Sequence, residues 1–361
     1  METKQYRTAP KSYKGQINNG FQFHIADVRL FTFSTGISIL VFELRFFDND
    51  PIRIASAQYY LRKISTEKIH TEDTNSFGES FVDISKRVLT DCAQNMVLDF
   101  FFYATPKNEK ANFLTYLDVP KQSCYSKELF YLKWCYNDGF DYAEDCYDED
   151  SINYVANPCT TWGVSVSAAV CLVYRSEVQK HFIESTFQKN FRKQYLLTYI
   201  LLLHQKYAMY LFLTKLSVGL EGNLQQLKAY KERLYHFETH YMFSYISEVP
   251  QYQRLYSIVR KAFAVEHLFS DVQEPLTQLT EMQKQKAESQ QQDHDHRVSA
   301  ALAALSFLTI FSALTDASGI TANLGWLIPE QISQIVQSIA LVLALIVIVI
   351  MLIRLLCVKK S

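Results

Sequence analysis

Behind a polar start, METKQYRTAPKSYKGQINNG, apolar and polar positions alternate through DVRLFTF and GISILVFELRFF, which predicts two strands joined around Ser34-Thr35-Gly36. PIRIASAQYYLRKI opens with Pro51 where a helix tolerates it, in the first turn, and FVDISKRVLTDCAQNMVLDFFF repeats its apolar residues at helical spacing. ANFLTYLDV and TWGVSVSAAVCLVY read as further strands. Strands and helices thus mix over residues 21–175, the pattern of an α/β or α+β domain. From Ser176 to about Glu248 the pattern is helical almost throughout, with its punctuation near Gly219 and Gly222. YLLTYILLLHQKYAMYLFLTKLSV is apolar enough to suggest a membrane span, but His204, Gln205 and Lys206 interrupt its centre, where a charge is costly in lipid. A buried core helix is the expectation, with His204 a core or surface residue rather than a metal ligand.

The last quarter of the chain changes character. Val298 to Thr315 carries no charged residue, and neither does Gln331 to Ile353, which includes IALVLALIVIVIMLI. Each reaches the length of about 18 residues at which a transmembrane helix is the default expectation. Arg297 precedes the first stretch, Arg354, Lys359 and Lys360 follow the second, and the loop between them has neither Lys nor Arg. That is the positive-inside pattern of a hairpin with both ends cytoplasmic, in a cell membrane. The N-terminal stretch shows no apolar core of a signal peptide.

LTQLTEMQKQKAESQQQDHDHR, between Pro275 and the first apolar stretch, contains neither Gly nor Pro and favours helix. Joined to the span, it predicts one helix from about Leu276 to Asp316, roughly 60 Å long. After Leu276, its only apolar residues before Arg297 are Leu279, Met282 and Ala287, so this stalk must bridge solvent, line an aqueous cavity or be disordered. Steps of seven align Glu274, Glu281, Glu288, Asp295, Leu302, Thr309 and Asp316 in one column, and Gln278, Gln285, Gln292, Ser299, Ser306 and Ala313 in its neighbour. The hydroxyls of Ser299, Ser306 and Thr309 thereby continue a polar seam from the stalk into the membrane. Copies of this helix around an axis would enclose a path lined by Ser299, Leu302, Ser306, Thr309, Ala313 and Asp316, with the acids Glu281, Glu288 and Asp295 on the stalk below. A solvated acidic face, and hydroxyls bonded back to the preceding turn, are the plainer readings of the same residues.

Composition adds boundaries more than content. The chain has 361 residues and a formal charge of -1, which leaves no basic footprint for a nucleic-acid polymer. Its seven cysteines form no CxxC pair and read as reduced thiols, a zinc site from Cys124, Cys135 and Cys146 being the lesser alternative. Asp293 to His296, DHDH, point in different directions around a helix and read as a solvated collar rather than a metal site. Neither a phosphate loop nor a Ser-His-Asp, Cys-His or HExxH arrangement is recognisable, so no enzyme is expected. The predicted layout is α+β: a polar tail (1–20), a cytosolic α/β domain (21–175), a helical segment (176–262), a stalk helix (263–297), a first span (298–316), an outer loop (317–332), a second span (333–356) and a basic tail (357–361).

This layout, with a stalk helix flowing into the first of two C-terminal spans, resembles the CorA family of divalent-cation channels over nearly the whole chain. The resemblance implies a homopentamer in a lipid bilayer, a pore lined by the first span, opening controlled by the cytosolic domain, and a divalent cation such as magnesium as permeant or regulatory ion. The family's Gly-Met-Asn motif is missing: the corresponding stretch is DASGITANLGWL, where Gly319 and Asn323 stand without a Gly-x-Asn triplet. Its selectivity residues are therefore not carried over, and Asp316 and Glu330 remain as carboxylates near the outer end. Divergent CorA-like proteins also stand beside type III CRISPR systems, where they resemble defence effectors in the membrane switched by a nucleotide-derived second messenger. A small nucleotide is the ligand which that second resemblance implies. A membrane-anchored enzyme or adaptor is the third reading.

Overall fold

The computed structural model describes residues 5–7, 13–17, 20–71, 78–92, 111–120, 125–142, 152–174, 177–219 and 224–323, with residues 338, 339, 342 and 346 beyond them. It is a mixed α+β protein with two compact units, Met1–Gln278 and Leu279–Ser361.

The first unit holds two sheets. In one, the hairpin of β3 (Gln22–Thr32) and β4 (Ser38–Phe46) is the longest pairing, and β3 also takes β1 (Gln5–Arg7) and β2 (Tyr13–Ile17) antiparallel; β5 (Ile69–Thr71) then pairs with β2. The predicted turn is present. Phe33 N–H donates to the Ile37 carbonyl at 2.9 Å, and Gly36 takes φ 86°, where a side chain would be strained. Two strands thus run through the polar N-terminal stretch, which its pattern does not announce.

The second sheet has the order β6 (Phe113–Val119), β9 (Ala168–Tyr174), β8 (Thr160–Val164) and β7 (Ile152–Asn157), with β6 parallel to β9 and the other pairs antiparallel. β9 is buried on both faces, as a near-continuous apolar strand should be. Its Ala168, Val170 and Leu172 join a core with α3 (Ser126–Trp134) and α1 (Pro51–Leu61). Ala169, Cys171 and Val173 join another core on the opposite face, with the helices that follow. α1 starts as its sequence indicates: Pro51 sits in the first turn and the Asp50 carboxylate caps the Ile52 N–H at 3.1 Å. α2 (Phe81–Cys92) opens on a reciprocal cap, with Ser80 Oγ accepting from Asp83 N–H at 3.2 Å and Asp83 Oδ2 accepting from Ser80 N–H at 3.1 Å. The predicted continuation of that helix past Cys92 lies outside the described residues.

The helical part begins with α4 (Lys180–Phe182) and α5 (Gln188–Asn190), separated and followed by π-helical turns at Ile183–Phe187 and Phe191–Tyr195, and continues as α6 (Leu196–Gly219). The winding has a cause in the sequence. Ile183, Phe187, Phe191, Tyr195 and Tyr199 recur every four residues, and all are buried. In a regular α-helix such a column would drift by about 40° at each step. Two wider turns cancel much of that drift and bring Phe191 and Tyr195 against Trp162 of β8. α7 (Leu224–Tyr241), α8 (Pro250–Ala262) and α9 (Val265–Asn323) complete the order.

Candidate functional site

The long predicted helix is present as α9, and it runs past its expected C-terminal end. It begins ten residues before Pro275, which lies inside it on the exposed side. There, the missing proline N–H leaves the Asp271 carbonyl free to meet water rather than unpaired in a core. At its start, Ala264 takes φ 50° between α8 and α9, with its N–H bonded to the Lys261 carbonyl and its own carbonyl accepting from Leu268 N–H. At its end, residues 317–323 are helical, so Gly319 and Asn323, expected in an outer loop, belong to the last turns of α9.

Burial along α9 changes abruptly. Val265, Val272 and Leu276 are buried and Leu268, Phe269 and Leu279 half-buried, one stripe at helical spacing. From Lys284 to Leu302 every residue is exposed, Glu288 and Asp295 of the acidic column among them, and so is Glu281. Glu288 is shared with Lys284, 3.7 Å away one turn earlier, so the column is not purely anionic. Asp293 to His296 are exposed in the same stretch.

In the apolar part Ser299 is exposed, Ser306 Oγ donates to the Leu302 carbonyl at 2.9 Å, and Thr309 Oγ1 donates to the Ser306 carbonyl at 2.8 Å. Both protons are thus used inside the helix, and each hydroxyl presents only lone pairs outward. Ala313 and Asp316 follow in the same helix, and Glu330 lies outside the described residues. Leu302 and Leu305 are each 59% exposed, with Val298 beside them on the same face. The few described residues of the second span are helical, and Ile339, Val342 and Ile346 are likewise exposed at helical spacing. Apolar faces of this kind are unfavourable in water. By length and apolarity one helix among the described residues qualifies as a membrane span, Glu177–Leu216, and 61% of its most apolar window is buried inside the fold. It is the core helix that the sequence indicated.

The polar interruption of that core helix ties its neighbours together. His204, Gln205 and Lys206 succeed one another around α6, and each reaches a different element. His204 Nε2 meets Thr35 Oγ1 of the β3–β4 turn at 2.8 Å, while its ring stacks on Phe33 with centroids 3.8 Å apart and faces Tyr241 of α7. Ser34 of the same turn bonds the Tyr241 hydroxyl. Gln205 Nε2 donates to the Tyr241 carbonyl at 2.5 Å and to the Tyr256 hydroxyl of α8 at 3.0 Å. Lys206 Nζ donates to the Val166 carbonyl between β8 and β9 at 3.3 Å and lies over Phe263, next to the elbow from which α9 departs. Burial holds the His204 imidazole down to about 3 and the Lys206 ammonium down to about 8.

The His204 shift has a stability consequence. Its folded value is depressed below the unfolded one, so its full contribution is present above about pH 6.5 and is lost as pH falls toward 3, by roughly 1.4 kcal/mol for each pH unit where only the unfolded chain binds the proton. Denaturant titrations at pH 7 and pH 5 should show this loss in the wild type. A His204→Phe variant, less stable at pH 7, should lose less between the same two values.

A second feature of the first unit is a ladder of rings. α3 ends at Cys135, whose φ of 52° turns the chain so that Trp134, Tyr136 and Phe140 stack in series, at 6.2 Å and 4.5 Å between centroids. Tyr59 of α1 meets Phe140 edge-on, and Arg62 and Lys63 stand over Tyr59 at 4.9 Å and 4.4 Å. Phe140 is 43% exposed. Such a face joins π surface to cationic charge. Cys135 itself is buried and its thiol is pushed up to about 12 by burial, which suits a core residue rather than a zinc thiolate; Cys124 and Cys146 lie outside the described residues.

No family model, no curated protein and no solved structure matches the chain.

Proposed function

We propose that this protein is an oligomeric, CorA-like membrane cation channel, non-enzymatic, in which α9 lines the pore and the folded unit at its base controls opening. The observation that carries the reading is the continuity of α9: one helix is anchored by Val265, Val272 and Leu276, runs exposed from Lys284, and continues into the apolar stretch with Leu302 and Leu305 uncovered. A helix with this sequence of surfaces fits a bilayer around its apolar part and identical copies, as in a homopentamer, along its Ser and Thr seam. The His204-Gln205-Lys206 hub supports control from the base, because it links both sheets to the α8–α9 elbow. Both termini are then cytoplasmic in a cell membrane, and the permeant ion is a cation, drawn by a ring of Asp316 carboxylates.

The test is mass determination in nanodiscs together with cation flux into liposomes. A symmetric oligomer is expected, and Asp316→Lys should cut flux by about tenfold or more through like-charge repulsion. A monomer, or a variant conducting cations as the wild type does, overturns the reading.

The ring ladder favours a second reading on the same scaffold: a defence or signalling effector whose opening follows binding of a small nucleotide, its base stacking at Phe140 and its phosphate near Arg62 and Lys63. Nucleotides at 100 times their dissociation constant should stabilise the protein by about 2.7 kcal/mol. A thermal shift that Phe140→Ala abolishes supports this reading, and the absence of any shift removes it.

A further inference from the structure

α7 carries two histidines one turn apart on its exposed side. Its other side is firmly held: Leu227, Tyr230, Leu234, Phe237 and Tyr241 are all buried. His236 and His240 are exposed, and their rings lie nearly parallel, 13° between planes and 3.9 Å between centroids. Helix spacing alone brings such a pair together.

The hydrogen bonds around His240 add what spacing does not. Its Nδ1 is 2.9 Å from the His236 carbonyl, which can only accept, so Nδ1 carries the proton. The Thr239 hydroxyl, 2.9 Å from the same nitrogen, donates to the Tyr235 and His236 carbonyls and is left to accept there. In the neutral ring with Nδ1 protonated, Nε2 keeps its lone pair. This is the arrangement of a metal-binding histidine, whose second nitrogen donates to a backbone carbonyl that fixes the tautomer. Two imidazole nitrogens on a tetrahedral zinc stand about 3.3 Å apart, a separation that side chains four residues apart on a helix can span, and the stacked rings turn out of parallel to aim both lone pairs at one ion.

We propose that His236 and His240 form a two-imidazole site for a divalent transition-metal ion of the zinc type on the outer face of α7. Imidazole nitrogen suits zinc, copper and nickel and does not suit magnesium or calcium, which take oxygen ligands. Among the described residues no group of three or more His, Cys, Asp or Glu side chains gathers at one point, so water completes the coordination. The bound ion would clamp the last turns of α7, directly before Tyr241, whose ring and hydroxyl meet His204 and Ser34.

The untagged full-length protein, titrated with zinc chloride in a calorimeter, tests the site. His236→Gln and His240→Gln should each weaken zinc binding by about tenfold or more, since each removes one of two protein ligands. His294→Gln/His296→Gln, which leaves α7 intact, should bind as the wild type, and a large excess of magnesium should not displace zinc. Zinc binding by His236→Gln/His240→Gln equal to that of the wild type overturns the proposal, as does its loss in the His294/His296 variant alone. Both exposed positions can be changed without opening the core, and equal thermal midpoints without metal will verify this.

Discussion

Trp162→Ala is expected to remove about 3–5 kcal/mol of stability, the cost of emptying a large aromatic site in a packed core. Trp162 is 1% exposed. Its ring lies between Tyr154, 6.4 Å away and within 5° of parallel, and the column from the underwound helix, with Tyr195 at 5.3 Å and Phe191 at 6.0 Å. Truncation leaves three rings facing a void on one side of β8, and neighbours held by a strand and by π turns have little freedom to close it. Since a domain's whole stability is about 5–15 kcal/mol, the variant should be marginal at 37 °C. Trp162→Phe, which keeps most of the surface, should lose clearly less. Urea unfolding followed by far-ultraviolet circular dichroism measures both, and a loss below about 1 kcal/mol for the Ala variant would mean that the column does not depend on Trp162.

The second large effect is functional. Gln290→Pro removes the helical bond to the Lys286 carbonyl and strains the preceding turn, at about 3 kcal/mol for an interior helix position. Gln290 lies in the exposed stretch of α9, fourteen residues past the buried Leu276. The first unit should therefore keep its thermal midpoint. What should fail is transmission: if α9 couples the first unit to a pore, as we propose, a break at its middle leaves liposome flux unresponsive to the first unit. Gln290→Ala is the control, and liposome flux that responds equally in the two variants would show that an unbroken helix is not needed.

The legible parts of the fold share one property, a local pattern that agrees with the tertiary result. Pro51 opens a helix, Ser34-Thr35-Gly36 makes a turn, and the His204-Gln205-Lys206 interruption marks its helix as core rather than membrane. Where the structure departs from expectation, the deciding information is not local. β1 and β2 form because β3 offers them an edge, and Gln5-Tyr6-Arg7 has no apolar alternation of its own. Pro275, where the almost wholly polar part of the stalk begins, does not break the helix because it faces outward, where a missing hydrogen bond can be replaced by water. The four-residue spacing from Ile183 to Tyr199 departs from the 3.6-residue period of an α-helix, yet the spacing alone does not say whether the backbone or the packing takes up the difference. For the long helix, the column of Glu281, Glu288 and Asp295 is readable, and so is back-bonding as the plainer role of its hydroxyls, whereas the Lys284 pairing and the carbonyls that Ser306 and Thr309 reach come from the folded helix. His236 and His240 carried a visible signal, two histidines four apart in a helical segment, and its meaning came from the carbonyl beneath His240.

Each π turn in the Ile183–Tyr195 region holds one residue more than a regular turn would. Removing a single residue there would let the turn close to ordinary α geometry while the flanking side chains keep their side of the helix, whereas the same deletion in the regular part of α6 would swing one side of the cut by about 100°. Ile183 and Tyr199 would then both stay buried. The underwound stretch is where this helix can absorb a change of length that its straight part cannot.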